Sequence, residues 1–294
     1  MRNGFITRLI DAARQNDRIM LLNGDLGFSV IENFTAAFPD RSINAGIAEQ
    51  SMVGIAAGLA QSGRKVFTYS IANFAVTRCL EQIRNDVCYH NVDVTIVAVG
   101  GGLPYGSQGY THFGVEDVAF TRVLPNMKVY VPADKPEMEW CVGEILTRGG
   151  PAYLRLARGG EPDLHKAVPQ GNGLFEVKSG TGTAFITQGT ILGEAMAAAE
   201  GTDAAVYSLP AMNADTAKTL EELARTFKTL ITVEEHVLQG GMGSFVAEIL
   251  AGMDAHAKHI RRGVTQETLS VIGDQAYLRA HAGIDRTSLK SLLK

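Results

Sequence analysis

The sequence has few cysteines, no long apolar run and no strong excess of charge of either sign. Its three cysteines, Cys79, Cys88 and Cys141, are an odd number without a CxxC pair, so neither a disulfide framework nor a zinc site is expected. No apolar run reaches the roughly 20 residues that span a bilayer. The 27 basic and 31 acidic residues give a net charge of −4, which argues against a nucleic-acid-binding face. We therefore expect a cytoplasmic protein with neither membrane nor nucleic acid as partner.

Three common signatures of nucleotide binding and nucleophilic catalysis are also missing. The chain has no GxxxxGK[ST] loop, no GxGxxG between a strand and a helix, and no GxSxG. A P-loop nucleotide site, a nicotinamide Rossmann site and a hydrolase nucleophile elbow are therefore not expected. The N-terminal segment carries Asp11 and Asp17 and is predicted to form an amphipathic helix, not a secretory signal.

Strands and helices alternate along almost the whole chain, which is typical of doubly wound α/β domains. A length of 294 residues corresponds to roughly two domains at about 150 residues each. The alternation breaks in residues 159–173, where prolines and glycines replace the periodic pattern. We therefore predict one α/β domain in residues 1–158, a linker in residues 159–173 and a second α/β domain in residues 174–294.

One predicted helix, Gly46–Gln61, is almost wholly apolar or small, a pattern that indicates a helix buried on every side. Gly54 and Gly58 share one of its faces and would let another backbone approach closely. Glu49 lies near its start and has two interpretations. It is either a capping glutamate exposed in the first turn or a buried carboxylate that the positive end of the helix stabilises.

Two polar residues follow predicted strands, at the ends where open α/β sheets bind ligands. His112 comes after the strand Val92–Val99 and a glycine-rich loop, and Arg158 comes after Ala152–Leu156. Arg8 lies in the first predicted helix. A guanidinium group can hold a phosphate through two hydrogen bonds. The alternatives are a loop histidine that bonds the backbone and arginines that are simply solvated.

Two aromatic residues, Tyr69 and Phe74, flank the end of an earlier predicted strand, Lys65–Ser70. One of them could stack on a flat heterocycle, although packing in the core is the usual role of such residues. Later in the chain, His236 precedes a glycine cluster. It is either an acid–base group or a residue that fixes the turn, and we favour the second interpretation.

The order of several segments resembles the C-terminal half of transketolases, over nearly the whole chain. These segments are Asp25-Leu26, GIAEQSMVGIAAGLA, the Tyr-Ser…Phe strand end, GYTHFGVED, LPNMKVYVPAD, GPAYLRLARGG and TVEEHVLQGGMGS. The IAEQ helix and the TH segment are the most specific. The resemblance extends to 1-deoxyxylulose-5-phosphate synthases and to the beta chains of 2-oxo-acid dehydrogenases. It implies a pyrimidine-binding domain followed by a transketolase C-terminal domain.

The resemblance implies thiamine diphosphate as the cofactor. Glu49 matches the glutamate that hydrogen-bonds the aminopyrimidine ring, and Phe74 matches the aromatic residue that stacks on it. Leu26 and Tyr69 are further candidates for contact with the cofactor. His112 matches the histidine that contacts the oxygens of the donor sugar. Glu49 and His112 are therefore the expected catalytic residues.

The expected substrate-binding residues show both matches and departures. Arg158 and Arg8 match positions that hold the acceptor's phosphate in transketolases, and Ser29 is a third candidate. Gln108 replaces an aspartate that recognises a donor hydroxyl, and Gly100 stands where transketolases have a histidine. Phosphate binding is therefore implied, whereas the identity of the sugars is left open.

The most informative departure is the absence of the GDG motif, which together with a distant Asn holds Mg²⁺ in the family. The resemblance therefore implies that an N-terminal partner subunit carries this motif, holds Mg²⁺ and the diphosphate, and forms an α2β2 heterotetramer with this chain. The complex would transfer a two-carbon ketol unit between sugar phosphates. The alternatives are a subunit of the deoxyxylulose-phosphate synthase or 2-oxo-acid dehydrogenase beta type, and a non-catalytic scaffold subunit.

Overall fold

The computed structural model describes residues 1–293, and its first domain is built on a six-stranded parallel sheet. The strand order is β2-β1-β3-β4-β6-β5, with Leu22 of β1 opposite Ile43 of β2 and Thr68 of β3. The elements are α1 (Arg2–Gln15), β1 (Ile19–Asn23), α2 (Glu32–Ala37), β2 (Ser42–Asn44), α3 (Glu49–Gln61), β3 (Lys65–Ile71), α4 (Ala72–Val76), α5 (Leu80–Gln82), β4 (Val94–Val99), α6 (Asp117–Arg122), β5 (Lys128–Tyr130), α7 (Lys135–Arg148) and β6 (Ala152–Leu156).

Apolar residues cover both faces of this sheet, so its central strands are continuous apolar runs, as parallel strands with two covered faces usually are. One face packs against α1, α2 and α7, through residues such as Phe5, Phe34 and Met138. The other packs against α3, α4 and α6, through residues such as Val53 and Val118. Because helices cover both faces of the sheet, a binding site can form only from the loops at the amino or the carboxyl ends of the strands.

The second domain has a five-stranded sheet in the order β11-β10-β8-β9-β7. Its elements are β7 (Phe175–Lys178), β8 (Thr183–Gln188), α8 (Leu192–Ala199), β9 (Ala205–Ser208), α9 (Ala214–Thr226), β10 (Thr229–Val237), α10 (Met242–Ala251), β11 (Lys258–Val264), α11 (Gln266–Leu269), α12 (Gln275–His281) and α13 (Arg286–Ser291). β7 runs antiparallel to β9 and was not predicted. The other strands of this sheet are parallel.

The two domains meet through hydrogen bonds and a small apolar cluster. The backbone N–H of Val131 donates to the carbonyl of Pro210 at 2.7 Å, and that of Val237 donates to Val115 at 2.8 Å. The cluster joins buried residues of both domains: Leu103, Phe113, Val115, Val264 and Leu278. Within residues 1–293, no helix combines the length and apolar character needed to cross a membrane.

Two helix predictions need correction. The Gly46–Gln61 helix begins at Glu49 and is not buried on every side, because the outer stripe of α3 is exposed and Ile55 is 44% accessible. The sequence pattern also predicts one helix over Ala75–His90, but the structure divides this stretch into the end of α4, a 3-10 turn, α5 and a π-helical segment, Ile83–Tyr89. The apolar pattern continues through these breaks, so periodicity did not reveal them. All three cysteines are free and buried.

Candidate active site

Most of the predicted site residues follow strands of the first sheet at one shared edge. Because the strands are parallel, their carboxyl ends lie together. Leu26 and Ser29 follow β1, Glu49 follows β2, Phe74 follows β3, Gln108 and His112 follow β4, and Arg158 follows β6. The chain leaves β1 in one direction across the sheet to β2, and then returns to β3 on the other side of β1. Such a switch point opens a crevice in which α/β proteins bind ligands.

Glu49 is a buried carboxylate at the first position of α3. Its side chain is 1% accessible and does not cap the helix, so the interpretation as an exposed capping residue is wrong. The Nη1 atom of Arg78 donates to Oε2 at 2.7 Å, and Ser70 Oγ lies 3.4 Å from Oε1. Gly24 leaves it room, since a Cβ there would lie 3.2 Å from Glu49 Cγ. The ion pair and the helix N-terminus stabilise the buried negative charge.

Arg78 is a site residue that the sequence reasoning missed. Its side chain is 43% accessible, and its guanidinium carbon lies 4.5 Å from the centroid of the Phe74 ring. A cation over an aromatic face is attracted to it, so Arg78 links Phe74 to Glu49. A signal was present in the spacing, because residues four apart in a helical segment share a face.

His112 joins this cluster from the glycine-rich loop. Its ring packs edge-on against Phe74, with 5.2 Å between centroids, and Asn73 Nδ2 donates to the Thr111 carbonyl at 2.7 Å. The structure thereby brings Glu49, Phe74 and His112 together, with Arg78 between two of them. A cleft of about 570 Å³ opens beside them; it is lined by Asn73, Phe74, Thr77, Arg78, Tyr110, Thr111, Phe113, Glu116 and Phe120.

Glu116 is a second titratable group on the wall of this cleft. Burial raises the pKa of its carboxyl above the ordinary value, although the hydrogen bond from Tyr110 opposes that shift. The Tyr110 hydroxyl donates to Glu116 Oε1 at 2.8 Å. Sequence reasoning did not single out either residue, since neither follows a strand directly.

Tyr69 and Leu26 lie beneath the edge and not on the cleft wall. Tyr69 is 1% accessible in the core of the first domain, and burial raises the pKa of its phenol. A Cβ on Gly27 would lie 3.0 Å from its ring, so Tyr69 supports the loop that follows β1. Leu26 packs against the same core. Of the two aromatic candidates, only Phe74 is placed with its ring on the cleft.

Arg158 lies farther along the same edge. Its guanidinium carbon is 5.2 Å from the centroid of the Tyr105 ring, which in turn lies 6.4 Å from the His112 ring. A second cleft, of about 530 Å³, lies between the domains; it is lined by Pro104, Ala133, Ala157, Arg158, Gly159, Gly160, Glu161, Pro162, Leu164, Thr190, Gly193, Glu194, Asp274, Gln275 and Arg279. A chain of contacting side chains therefore runs from Glu49 to Arg158, and we call it the wall. Between these two ends it consists of Arg78, Phe74, His112 and Tyr105.

The structure does not bring Arg8 to this wall. Helix α1 leads into β1 from the opposite direction, so its first turn lies at the carboxyl edge, where the Met1 ammonium pairs with Glu161 Oε2 at 3.0 Å. Arg2 Nε would lie 3.6 Å from a Cβ on Gly159. Arg8 is six residues farther along, about 9 Å along the helix axis. The arginine of α1 that lies beside residue 158 is therefore Arg2.

The two remaining candidates lie on exposed loop positions. Ser29 has a φ of 61°, a left-handed conformation that non-glycine residues rarely adopt, and its N–H donates to Glu32 Oε1 at 2.7 Å. Gln108 ends the short 3-10 turn Gly106–Gln108. That turn belongs to the loop of residues 103–113, which two hydrogen bonds between Gly102 and Gly114, at 2.7 and 3.1 Å, close at its base.

Comparison with known sequences decides the family. The profile of the pyrimidine binding domain of transketolase matches residues 1–161, and that of the transketolase C-terminal domain matches residues 171–289. The chain belongs to the transketolase family.

Relatives of similar length are subunits or sections of transketolases. A subunit of apulose-4-phosphate transketolase from Actinobacillus succinogenes is 32% identical over 99% of this chain and 96% of its own length. A putative transketolase C-terminal section of Methanocaldococcus jannaschii is also 32% identical, over 98% and 93%. By contrast, 1-deoxy-D-xylulose-5-phosphate synthase of Bordetella petrii, 33% identical, is covered over only 46% of its length.

Solved structures of the transketolase family share the fold. A split-gene transketolase described as an inactive beta4 tetramer has a TM-score of 0.87 and 31% identity, with 99% of this chain and 96% of that one covered. A transketolase from Pichia stipitis superposes with a TM-score of 0.81 over 44% of its chain, at 17% identity. The match to the full-length enzyme is confined to less than half of it.

Proposed function

We propose that this chain is the catalytic C-terminal subunit of a split transketolase that depends on thiamine diphosphate. With a partner subunit it transfers a two-carbon ketol unit from a ketose phosphate to an aldose. The observation that carries the proposal is the buried Glu49 beside Phe74 and an open cleft, in a chain that matches a single transketolase subunit over almost its full length. Intact site residues also favour catalysis over a scaffold role.

The side chains on the wall fit the aminopyrimidine half of the cofactor. Bound thiamine diphosphate supplies an electron sink for breaking and forming a carbon–carbon bond next to a carbonyl. Phe74 stacks on the ring and fixes its orientation. Glu49 would hold a proton at the ring nitrogen, and the Arg78 guanidinium would balance the charge of its carboxylate. Leu26 packs into the core beneath this pocket and, with Tyr69, supports the loop that follows β1.

The substrate occupies the wall between His112 and Arg158. His112 donates hydrogen bonds to oxygens of the ketose donor, and Gln108 and Ser29 are the loop residues that tune sugar recognition. Arg158 binds the phosphate of the acceptor through its guanidinium. Because α1 presents its first turn to the same edge, Arg2 takes the supporting role that the resemblance implied for Arg8.

The partner holds the diphosphate and Mg²⁺. Within residues 1–293, no group of three or more His, Cys, Asp or Glu side chains is placed to hold a metal ion. The outer stripe of α3, which carries Gly54, Ile55 and Gly58, is available for that partner. A Cβ on either glycine would meet no other atom within 4 Å, and Ile55 is 44% accessible. An α2β2 assembly would cover this stripe.

The test is to purify the chain alone and together with its partner. We expect the complex to bind thiamine diphosphate with Mg²⁺ and to transfer ketol units, and the isolated chain to do neither. Full cofactor binding and turnover by the isolated chain would contradict the partner's role.

The second candidate is a subunit of a deoxyxylulose-phosphate synthase type of enzyme, since such a synthase is 33% identical to this chain. The same complex distinguishes the two when it is given pyruvate. Decarboxylation of pyruvate without ketol transfer from sugar phosphates would support the second candidate and rule out the first. Arg158 on the wall favours a phosphorylated acceptor in either case.

A further inference from the structure

Tyr105 occupies a position on the wall for which no role has been assigned. It lies in the loop of residues 103–113, and its half-buried ring covers Gly100, the first residue after β4. A Cβ on Gly100 would overlap the edge of that ring. Gly100 also has a φ of 74°, which glycine adopts without strain. The Tyr105 ring can therefore occupy this position only because residue 100 is a glycine.

The ring neighbours of Tyr105 are Arg158 and His112, the wall residues that bind substrate in the proposed function. Arg158 lies over its ring at 5.2 Å, and the His112 ring lies 6.4 Å away. The hydroxyl of Tyr105 forms no hydrogen bond with residues 1–293 of the chain. Cation–π contact holds a guanidinium against an aromatic face, so the ring restricts Arg158 while the phenol O–H is left to bind something else.

We infer that Tyr105 is a specificity-determining residue for the acceptor, an inference that rests on the proposed function. Its hydroxyl donates a hydrogen bond to the phosphate that Arg158 holds, and its ring keeps Arg158 in the binding orientation. The ligand class is a phosphorylated aldose, and the pair Tyr105–Arg158 distinguishes it from an aldose without phosphate. Hydrogen bonds to an anion are stronger than those between neutral groups, which is why the discrimination depends on phosphate.

The first experiment compares Tyr105→Phe with the parent, both in complex with the partner subunit. Tyr105→Phe keeps the ring and removes the donor. We expect the KM for a three-carbon phosphorylated aldose to rise about tenfold, with kcat and the KM for an unphosphorylated aldose changed by less than about twofold. Equal changes for both acceptors, or no change for either, would overturn the inference.

The second experiment tests whether Gly100 is needed to position the Tyr105 ring, and it measures phosphate binding instead of turnover. Inorganic phosphate is titrated calorimetrically into the complexes of the parent, Gly100→Ala, Tyr105→Ala and the double variant. We expect each single variant to weaken phosphate binding about tenfold or more, and the double variant to be no weaker than Tyr105→Ala, because contacting residues are not additive. Backbone strain from the alanine would weaken binding equally with and without Tyr105, so the role of Gly100 is measured by the difference between its effects in the two backgrounds. Additive losses would overturn the role of Gly100 in seating Tyr105.

These outcomes separate this inference from the proposed function. Phosphate binding that depends on Tyr105 in a complex without ketol transfer would support the inference and contradict the proposed function. Ketol transfer by a complex whose phosphate affinity is the same with Tyr105→Phe would do the reverse. Unfolding temperatures of all variants, measured alongside, show whether a loss comes from a damaged fold.

Discussion

The two domains share a doubly wound fold but use the carboxyl edges of their sheets in opposite ways. The edge of the first sheet is open and carries Glu49, Phe74 and Arg158 beside clefts. The corresponding switch point of the second sheet, between β8 and β10, is covered by the first domain. There, a Cβ on Gly189 would lie 3.2 Å from Val131 Cγ1. Fold alone therefore does not determine where a site forms.

The polar residues at the closed edge already have protein partners. Glu234 accepts hydrogen bonds from the N–H groups of Met242 and Gly243 at 2.7 and 2.8 Å. Glu235 binds the Leu103 N–H at 3.1 Å, and Gln275 and Arg279 at the other side. The bond from the Leu103 N–H to Glu235 joins the two domains, and both carboxylates are occupied by protein donors. At the open edge, the phenol of Tyr105 and the guanidinium of Arg158 form no hydrogen bond with any of residues 1–293, and the two groups lie against each other.

His236 belongs to this closed edge, as the favoured interpretation of the sequence held. Its Nδ1 donates to the Val237 carbonyl at 2.7 Å, and its Nε2 accepts from the Ala119 N–H at 3.2 Å. Both ring nitrogens are thus used to fix β10 against α6. The histidine has no nitrogen free for acid–base chemistry.

The largest expected effect is loss of activity when the open edge is changed at Glu49. Glu49→Gln keeps the shape but cannot carry the charge, so turnover by the complex should fall by about three orders of magnitude or more. The control is Glu222→Gln on the exposed face of α9. Unchanged turnover in Glu49→Gln would favour a scaffold role, provided that both variants unfold at the parent temperature.

The next effect is on stability and concerns Arg155 at the closed edge. This guanidinium is 5% accessible, pairs with Asp117 Oδ2 at 2.8 Å and donates to the Glu235 carbonyl at 2.9 Å. Arg155→Ala leaves a buried carboxylate without its partner, so the free energy of unfolding should fall by about 3–5 kcal/mol. Denaturant titration measures this; a loss below about 1 kcal/mol would show that the buried pair of Arg155 and Asp117 contributes little to stability.

Arg158, three residues farther along, provides the contrast. Arg158→Ala should leave the free energy of unfolding within about 0.5 kcal/mol of the parent. The KM for a phosphorylated acceptor should rise about 10- to 100-fold, because a charged hydrogen-bond donor is lost. Arg225→Ala, exposed on α9, is the matched control. A large stability loss with an unchanged KM would reverse the roles of the two arginines.

The last effect is a gradual one, the pH dependence of stability at the closed edge. Burial lowers the pKa of His236 to about 4, whereas the ordinary value is 6.5, so the unfolded chain binds its proton at a higher pH. This contribution to stability is complete above pH 6.5 and declines as the pH falls towards 4, by at most about 1.4 kcal/mol per pH unit. His236→Gln should remove this pH dependence. The measurement is the free energy of unfolding of the parent and of the variant at several pH values between 4 and 7. A difference between the two that stays constant with pH would contradict the prediction.

Several elements were predicted to the residue, and their end signals explain why. The sequence pattern predicts helices over Lys135–Arg148 and Ala214–Thr226, and the structure has helices with the same bounds. Asp134 and Asn213 cap them, as each side chain accepts from a backbone N–H of the first turn. Such signals are local in sequence. The edge strand Phe175–Lys178 has no comparable signal, since it is defined by antiparallel pairing with β9.

The site was predictable only as a set of strand ends. The position of Glu49 and His112 after strands places them at one edge, but the burial of Glu49 depends on Arg78, Gly24 and Ser70, which are distant in sequence. Arg8 was chosen by resemblance, whereas the direction of α1 places Arg2 at the edge. The residues around Tyr105 in sequence did not indicate a functional role for it, because the position of its ring depends on the missing side chain of Gly100.

The loop of residues 103–113 is closed at its base, so its sequence can change without altering the strands and helices on either side of it. The Gly102–Gly114 hydrogen bonds fix both ends, and buried Leu103 and Phe113 anchor it to the second domain. The side chains between these anchors include Tyr105, Gln108 and His112, which all face the sugar in our proposal. Substrate preference in this family could therefore diverge, or be transplanted, by replacing this loop between the two anchors while both cores stay unchanged.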